Sequence, residues 1–320
     1  MGGSIRRSGF GLALLAGAAL ASSASAQDML KVANGQRGNW DTSVSELGQR
    51  AGIFKKHGLV LDLLYTQGSA ETQQPVISGS VDIGVGVGIM GALAAFSKNA
   101  PVRVIGAETT GAADLFWYVK AESPIKALPD TDGKTIAFSG KGSSTDGVVT
   151  AFMKQYRLKA VPTATGGPAP TLTLVMSGQI DVGWSAPPFG LELIDQGKIR
   201  VIATGNDAAI FKGQTVRTLV VNLQALQTRK DVIKRYMQAY RETIDWEYAD
   251  PAALKLYAEW LNIPEAIARR TRDGYFPKPA LNPDAIVGLD TIVNDAVELK
   301  YTAAPLSKEQ LAELIQIPPR

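Results

Sequence analysis

The chain has 320 residues, no cysteine and one histidine, and its 33 basic and 30 acidic residues give a formal charge of +3. Without cysteine there is no disulfide, thiolate metal site, cysteine nucleophile, iron–sulfur cluster or lipid-anchoring Cys. The single His57 excludes a His-rich zinc site and restricts any Ser-His-Asp triad to His57 itself. Near-balanced charge argues against a nucleic-acid partner, which needs a basic face.

Residues 1–26 read as an export signal. Arg6 and Arg7 form a positive n-region, Phe10 to Leu20 is a short apolar run, and Ala24-Ser25-Ala26 is a small-x-small cleavage site. The run is shorter than the ~20 residues that cross a bilayer. Its removal takes two basic residues and no acid, which leaves 31 against 30. The expected product is a soluble chain in a bacterial periplasm; Arg6-Arg7 leaves Sec and twin-arginine export both open.

Next the pattern alternates. Leu30–Ala33 is a predicted strand, followed by the loop Asn34–Asn39. A helix capped by Asp41 or Thr42 runs to about His57 and stops at Gly58. Strand Leu59–Tyr65, helix Glu71–Ser78, strand Val81–Val87, a small-residue helix to about Lys98 and strand Val102–Ala107 follow. Such alternation predicts a parallel sheet covered on both faces. After Gly111 it restarts, with strands Leu115–Val119, Thr135–Ser139, Ile180–Trp184 and Ile199–Ala203. The helices between them are Ser144 or Thr145 to Tyr156, Pro168–Ser177 and Pro187–Gln196.

The two units share a repeat. Ser78-Gly79-Ser80-Val81-Asp82-Ile83-Gly84 matches Ser177-Gly178-Gln179-Ile180-Asp181-Val182-Gly183, a helix end, an acidic turn and a buried strand. From about Arg229 the chain turns helical, over Lys230–Tyr248, Pro251–Leu261, Pro264–Asp273, Pro283–Leu299 and Ser307–Ile315, with prolines at or near helix starts. This tail is expected to pack on one lobe. The implied division is a signal at 1–26, lobe one at 27–112, lobe two at 113–217, and a crossover with helical return at 218–320.

Five pieces taken in order resemble the substrate-binding proteins of nitrate/sulfonate/taurine-type ABC importers, a group that includes thiamine-precursor binders. Gly52-Ile53-Phe54 with Gly58-Leu59 is similar to that family's G-[IL]-F-x-x-x-G-L helix end. Gly79–Gly84 and Gly178–Trp184 fit its two Asp-strands, Leu128–Thr135 its L-x-D-L-x-G-K-x segment, and Gly140–Thr145 its Gly/Ser loop. The resemblance implies an α/β fold of the type II periplasmic-binding-protein class: two α/β lobes, a hinged cleft and a C-terminal helical segment on lobe one. It places the crossovers near Thr109–Leu115 and Gln214–Asn222. It also implies an ABC permease as partner, a monomer, and no cofactor or metal. Eukaryotic thiamine-pyrimidine synthases share the fold but use a cysteine-rich iron motif, which a Cys-free chain cannot build.

In open α/β sheets ligands bind outside the carboxyl ends of strands. That rule selects the loops Gly35–Trp40, Gln67–Glu71, Gly86–Met90, Gly140–Thr145 and Trp184–Pro188. In the fourth loop, two glycines precede Ser143, Ser144 and Thr145 at a helix start, where free N–H groups and the dipole favour an anion. A cap needs only one such hydroxyl. Arg37 could fork onto a carboxylate or sulfonate, or be solvated. Trp40 could stack on a planar ligand or pack under its own helix, and Trp184 could face the cleft or the core. Asn39, Ser69, Val87 and Pro187 complete the candidate site. Asp82 and Asp181 sit at the opposite strand ends, where turn formation is expected. His57 and the run Arg269-Arg270-Thr271-Arg272 are expected on solvated helix faces.

The expected function is periplasmic binding of a small anionic organic solute, a sulfonate or carboxylate with a possible aromatic group, without catalytic residues. An exported enzyme using Ser143 or Ser144 as nucleophile, and a ligand-sensing partner of a membrane receptor, are the alternatives.

Overall fold

The computed structural model describes residues 1–3 and 27–320, so the export signal expected at 1–26 lies almost wholly outside the described residues. The first unit contains β1 (Asp28–Asn34), α1 (Val44–Arg50), α2 (Ile53–Lys56), β2 (Leu59–Tyr65) and α3 (Ser69–Ser78), followed by β3 (Ile83–Gly88), α4 (Ile89–Phe96) and β4 (Val102–Thr110). The helix expected from Asp41 to His57 is divided at Gly52, whose φ of 76° only glycine adopts freely.

The chain then crosses to a second unit. It holds β5 (Phe116–Lys120), β6 (Thr135–Phe138), α5 (Ser144–Gln155), β7 (Val161–Ala164), α6 (Pro168–Met176), β8 (Gly183–Ser185), α7 (Leu191–Asp195) and β9 (Ile199–Thr204). It returns as β10 (Thr215–Asn222), which enters the middle of the first sheet, in the order β2-β1-β3-β10-β4. The sheets are mixed rather than parallel. β10 runs antiparallel to both β3 and β4, because it arrives from the other unit and enters from the opposite end. β5 has the same relation to β8 and β9. A parallel bridge between Ile136 and Val182 links β6 to β8, which makes the second order β7-β6-β8-β5-β9. The two sheets therefore repeat one topology.

After β10 come α8 (Leu223–Thr228), α9 (Lys230–Ala249), α10 (Pro251–Leu261), α11 (Glu265–Tyr275), α12 (Leu289–Glu298) and α13 (Lys308–Leu314). The helix expected from Pro283 begins only at Leu289. Pro283 and Val287 instead use their carbonyls to accept the N–H groups of Ala107 and Thr215 at the sheet (3.2 and 3.0 Å). Strand residues alternate between two cores. Leu30, Val32, Ile83, Val85, Leu219 and Val221 face a core with Trp40, Phe54, Tyr236 and Tyr257, under α1, α9 and α10. Ala33, Val87 and Val220 face the other core, which continues through Trp117 and Phe152 of the second unit. The tail also grips that second unit: Tyr301 OH donates to Asp146 Oδ2 (2.9 Å), and Lys154 pairs with Glu298.

Candidate functional site

The carboxyl ends of the parallel strands in both units face one another across a cleft. Its inner end is a cavity of about 30 Å³, walled by Gln36, Asn39, Asp41 and Ser69 from the first unit, Ser144, Thr145 and Trp184 from the second, and Arg217 from β10. Its outer end is a cavity of about 580 Å³ with Arg37, Phe189, Leu193, Leu261, Ile263 and Ile267 on its walls. Gln36 borders both.

The units touch across this cleft. Ser144 N–H donates to Ser69 Oγ at 3.2 Å, joining the N-termini of α5 and α3. Arg270 Nη1 lies 2.7 and 2.9 Å from the two oxygens of Asp195 at the cleft mouth. The expectation that the run from Arg269 to Arg272 is simply solvated fails at Arg270, at the buried Thr271, and at Arg272, which lies over the Tyr248 ring (5.6 Å).

The three hydroxyls at the start of α5 divide their work. Ser143 Oγ accepts the Asp146 N–H (3.1 Å) and caps the helix. Thr145 Oγ1 accepts the Ser139 N–H (2.8 Å) and meets the Ser139 and Ser143 hydroxyls, both at 2.9 Å. Ser144 Oγ makes no hydrogen bond to the described residues and borders the inner cavity. Asn39 and Ser69 also border it, buried to 5% exposure each. Trp184 does so too, with its indole N–H donating to Gly166 O at 3.1 Å.

Four expected contacts are placed elsewhere. Trp40 is fully buried in the first core, edge-on to Tyr257 (4.8 Å between centroids), and its indole N–H donates to Tyr248 OH (3.1 Å). It packs under its own helix and cannot stack on a ligand. Val87 points into the apolar core on the other side of the sheet, and its carbonyl accepts from Thr218 Oγ1 (3.1 Å). Pro187 is buried, and Pro188 and Phe189 line the outer cavity in its place. Ser143 is a cap. Arg37 stays in the cleft, on the wall of the outer cavity, where it lies over the Trp260 ring (4.9 Å). His57 pairs with Glu242 at 2.8 Å.

The sequence reading missed a buried charge cluster. Arg217 donates from Nε to Asp41 Oδ2 (2.9 Å) and from Nη2 to Asp114 Oδ2 (2.8 Å), and lies 3.6 Å from Glu108. Burial and the neighbouring Asp41 charge push Glu108 well above the ordinary carboxylate range. Burial likewise pushes Asp114 up to about 6, against the pull of Arg217. A signal was present: Arg217 and Glu108 stand in fully or almost fully buried strands of mostly apolar or small residues, where an unpaired charge would be expensive. Only the fold says that they meet. Among the described residues no group of His, Cys, Asp or Glu is arranged to hold a metal ion, and no helix is long and apolar enough to cross a membrane.

A family model described as NMT1/THI5 like matches residues 46–254. The chain belongs to that family. Among its relatives, a Brucella abortus protein described as a binding protein is 22% identical over 233 residues, covering 71% of this chain and 70% of the other. A Saccharomyces cerevisiae 4-amino-5-hydroxymethyl-2-methylpyrimidine phosphate synthase is 21% identical over 232 residues, covering 68% and 65%. The fold matches the alkanesulfonate-binding protein of Xanthomonas axonopodis pv. citri with a TM-score of 0.75 at 18% identity, over 92% of this chain and all of the other. This family member thus has the two-lobed architecture of the type II periplasmic-binding-protein class that the ordered motifs implied.

Proposed function

We propose that this chain is the exported solute-binding component of an ABC importer, closing on a small organic solute between lobe one and lobe two. The observation that carries this reading is the cross-cleft contact of Ser69 and Ser144 beside a polar cavity, with a roomier apolar cavity outside it. Loops at strand carboxyl ends are where such sheets bind ligands, and two lobes joined by two crossings can open and close as a hinge. The lobes fall at 27–112 and 113–217 on this reading, the closed form is what a membrane permease receives, and the protein acts as a monomer in the periplasm.

Binding without turnover fits the cleft better than catalysis. A serine nucleophile needs a base within hydrogen-bond reach. Ser143 is held by Asp146 N–H and Thr145, Ser144 meets only Ser69 through its backbone, and His57 is engaged by Glu242. The anionic class expected for the solute draws support from the N-termini of α3 and α5, and the buried carboxylates oppose it.

Small-angle scattering with and without added lysate metabolites tests the proposal. A fall in radius of gyration with one bound molecule by native mass spectrometry is the expected result. A chain that binds no small molecule, or returns it chemically altered, contradicts it.

A further inference from the structure

At the inner end of the cleft, buried acceptors exceed donors. Asn39 and Asp41, 5% and 1% exposed, both border the inner cavity. Asn39 donates from Nδ2 to Gln36 Oε1 (3.0 Å), while its Oδ1 has no partner. Asp41 Oδ2 accepts from Arg217 and from Thr109 (2.9 and 3.2 Å), while its Oδ1 has none. Behind them, both oxygens of Glu108 and Oδ1 of Asp114 are also unpartnered. A buried acceptor that has lost water and gained nothing is destabilising, so a cluster of them in a ligand cleft calls for a donor from outside the chain.

Charge points the same way. Among the described residues Arg217 is the only cation on the inner wall, and it already faces Asp41, Asp114 and Glu108. Against this, the N-termini of α3 and α5 also face the cavity, and each favours an anion. A helix terminus, however, acts as roughly half a charge, and the Ser144 N–H of α5 is already given to Ser69 Oγ. Burial pushes Glu108 toward its neutral form, so the negative charge is that of Asp41 and Asp114; two full charges in a site of low polarity exceed Arg217 together with the one partial terminus left.

We infer that the cleft takes an organic cation, with an ammonium or amidinium head against Asn39 and Asp41 and its apolar remainder in the outer cavity. The inner space of about 30 Å³ admits a head group and little more, and the 580 Å³ space beyond is lined by Phe189, Leu193, Leu261, Ile263 and Ile267. Gln36, bordering both, has to swing aside for such a molecule to pass. This inference rests on the reading of the cleft as a solute site.

The test is isothermal titration of the full mature chain with shape-matched pairs of opposite charge: benzamidinium against benzoate, and cyclohexylammonium against cyclohexanecarboxylate. At least one cation should bind saturably and its carboxylate partner at least tenfold more weakly. Asp41→Asn should weaken the cation at least tenfold. Because that variant also removes a partner of Arg217, Asn39→Asp serves as the second one, and the added carboxylate should tighten cation binding. Preference for the carboxylates, weakened by Ser144→Ala, would overturn the inference and leave the solute-binding reading standing. No saturable binding by any member, together with no small molecule co-purifying in native mass spectrometry, would sink both. No binding by any member with a co-purified anion would sink the inference alone.

Discussion

Asp82 and Asp181 do the same work in different lobes. Asp82 Oδ2 accepts the Lys31 backbone N–H at 2.9 Å, and Asp181 Oδ2 accepts the Thr135 backbone N–H at 2.9 Å. Each carboxylate ties the turn before one strand to the neighbouring strand. The correspondence extends further along the chain. Thr66 and Thr72 share a hydroxyl contact (2.8 Å) with Thr72 bonded to Gly68 O, and Thr165 and Thr171 do the same (2.6 Å) with Gly167 O. Repeated topology and repeated polar joints together mark the lobes as two versions of one unit.

Removing either joint should lower stability and leave ligand affinity unchanged, because both lie at the strand ends opposite the cleft. Asp82→Ala and Asp181→Ala should each cost about 1.5–3 kcal/mol, the scale of a hydrogen bond to a charged acceptor. Urea midpoints at constant m-value check this.

Trp40 gives the converse test of the corrected assignment. Trp40→Ala should destabilise the first lobe by about 3–5 kcal/mol, the scale for truncating a large buried aromatic. Trp40→Phe, which keeps a ring against Tyr257, should recover most of that. Ligand affinity of the folded fraction should not change, and a selective loss of affinity in Trp40→Phe would restore the stacking role.

Closure depends on small side chains at the contact. A Cβ on Gly68 would lie 2.9 Å from both Cβ and Oγ of Ser139 on the opposite lobe. Gly68→Val should therefore leave each lobe folded and hold the cleft open. The expected signature is a near-normal circular dichroism spectrum, a larger radius of gyration that ligand fails to reduce, and affinity lowered at least tenfold.

The buried cluster predicts a pH dependence of stability. For Asp114 the folded state binds its proton more tightly than the unfolded chain, since its pKa rises from 3.8 to about 6. More protons bound in the folded state make stability fall as pH rises through that window. Glu108 is raised as well and acts in the same direction. The carboxylates lowered by ion pairs, Glu242 and Asp284, act below it, starting from 4.5 and 3.8. Midpoints of thermal unfolding should therefore be higher at pH 5 than at pH 7, and Asp114→Asn should flatten that slope. A slope unchanged in the variant would assign the effect elsewhere.

Much of this molecule is legible in one dimension. Hydrophobic alternation, capping residues and glycine punctuation are local, so they place most strands and helices within a few residues. The repeat around Asp82 and Asp181 is local too, and it gave the correct role for both carboxylates. The Gly/Ser loop was found for the same reason: its chemistry is written in consecutive residues. Within that loop the sequence could not say which hydroxyl remains for a ligand. Ser143 and Thr145 are engaged by Asp146 and Ser139, and that selection follows from how the helix start folds back on its own loop.

Contacts between distant segments were decided by the tertiary structure alone. Asp41, Glu108, Asp114 and Arg217 converge because two crossing segments and one loop meet at the base of the cleft. Each residue by itself looks like an ordinary charge, and only their shared burial makes them one cluster beside the inner cavity. The same holds for the direction of β10, which is set by the lobe it returns from, and for Trp40, whose partners Tyr248 and Tyr257 come from the far end of the chain. The sequence by itself determined the elements, the two-lobe plan and the family. The fold decided the charge at the bottom of the cleft, because a low-polarity interior turns separated residues into one interacting group.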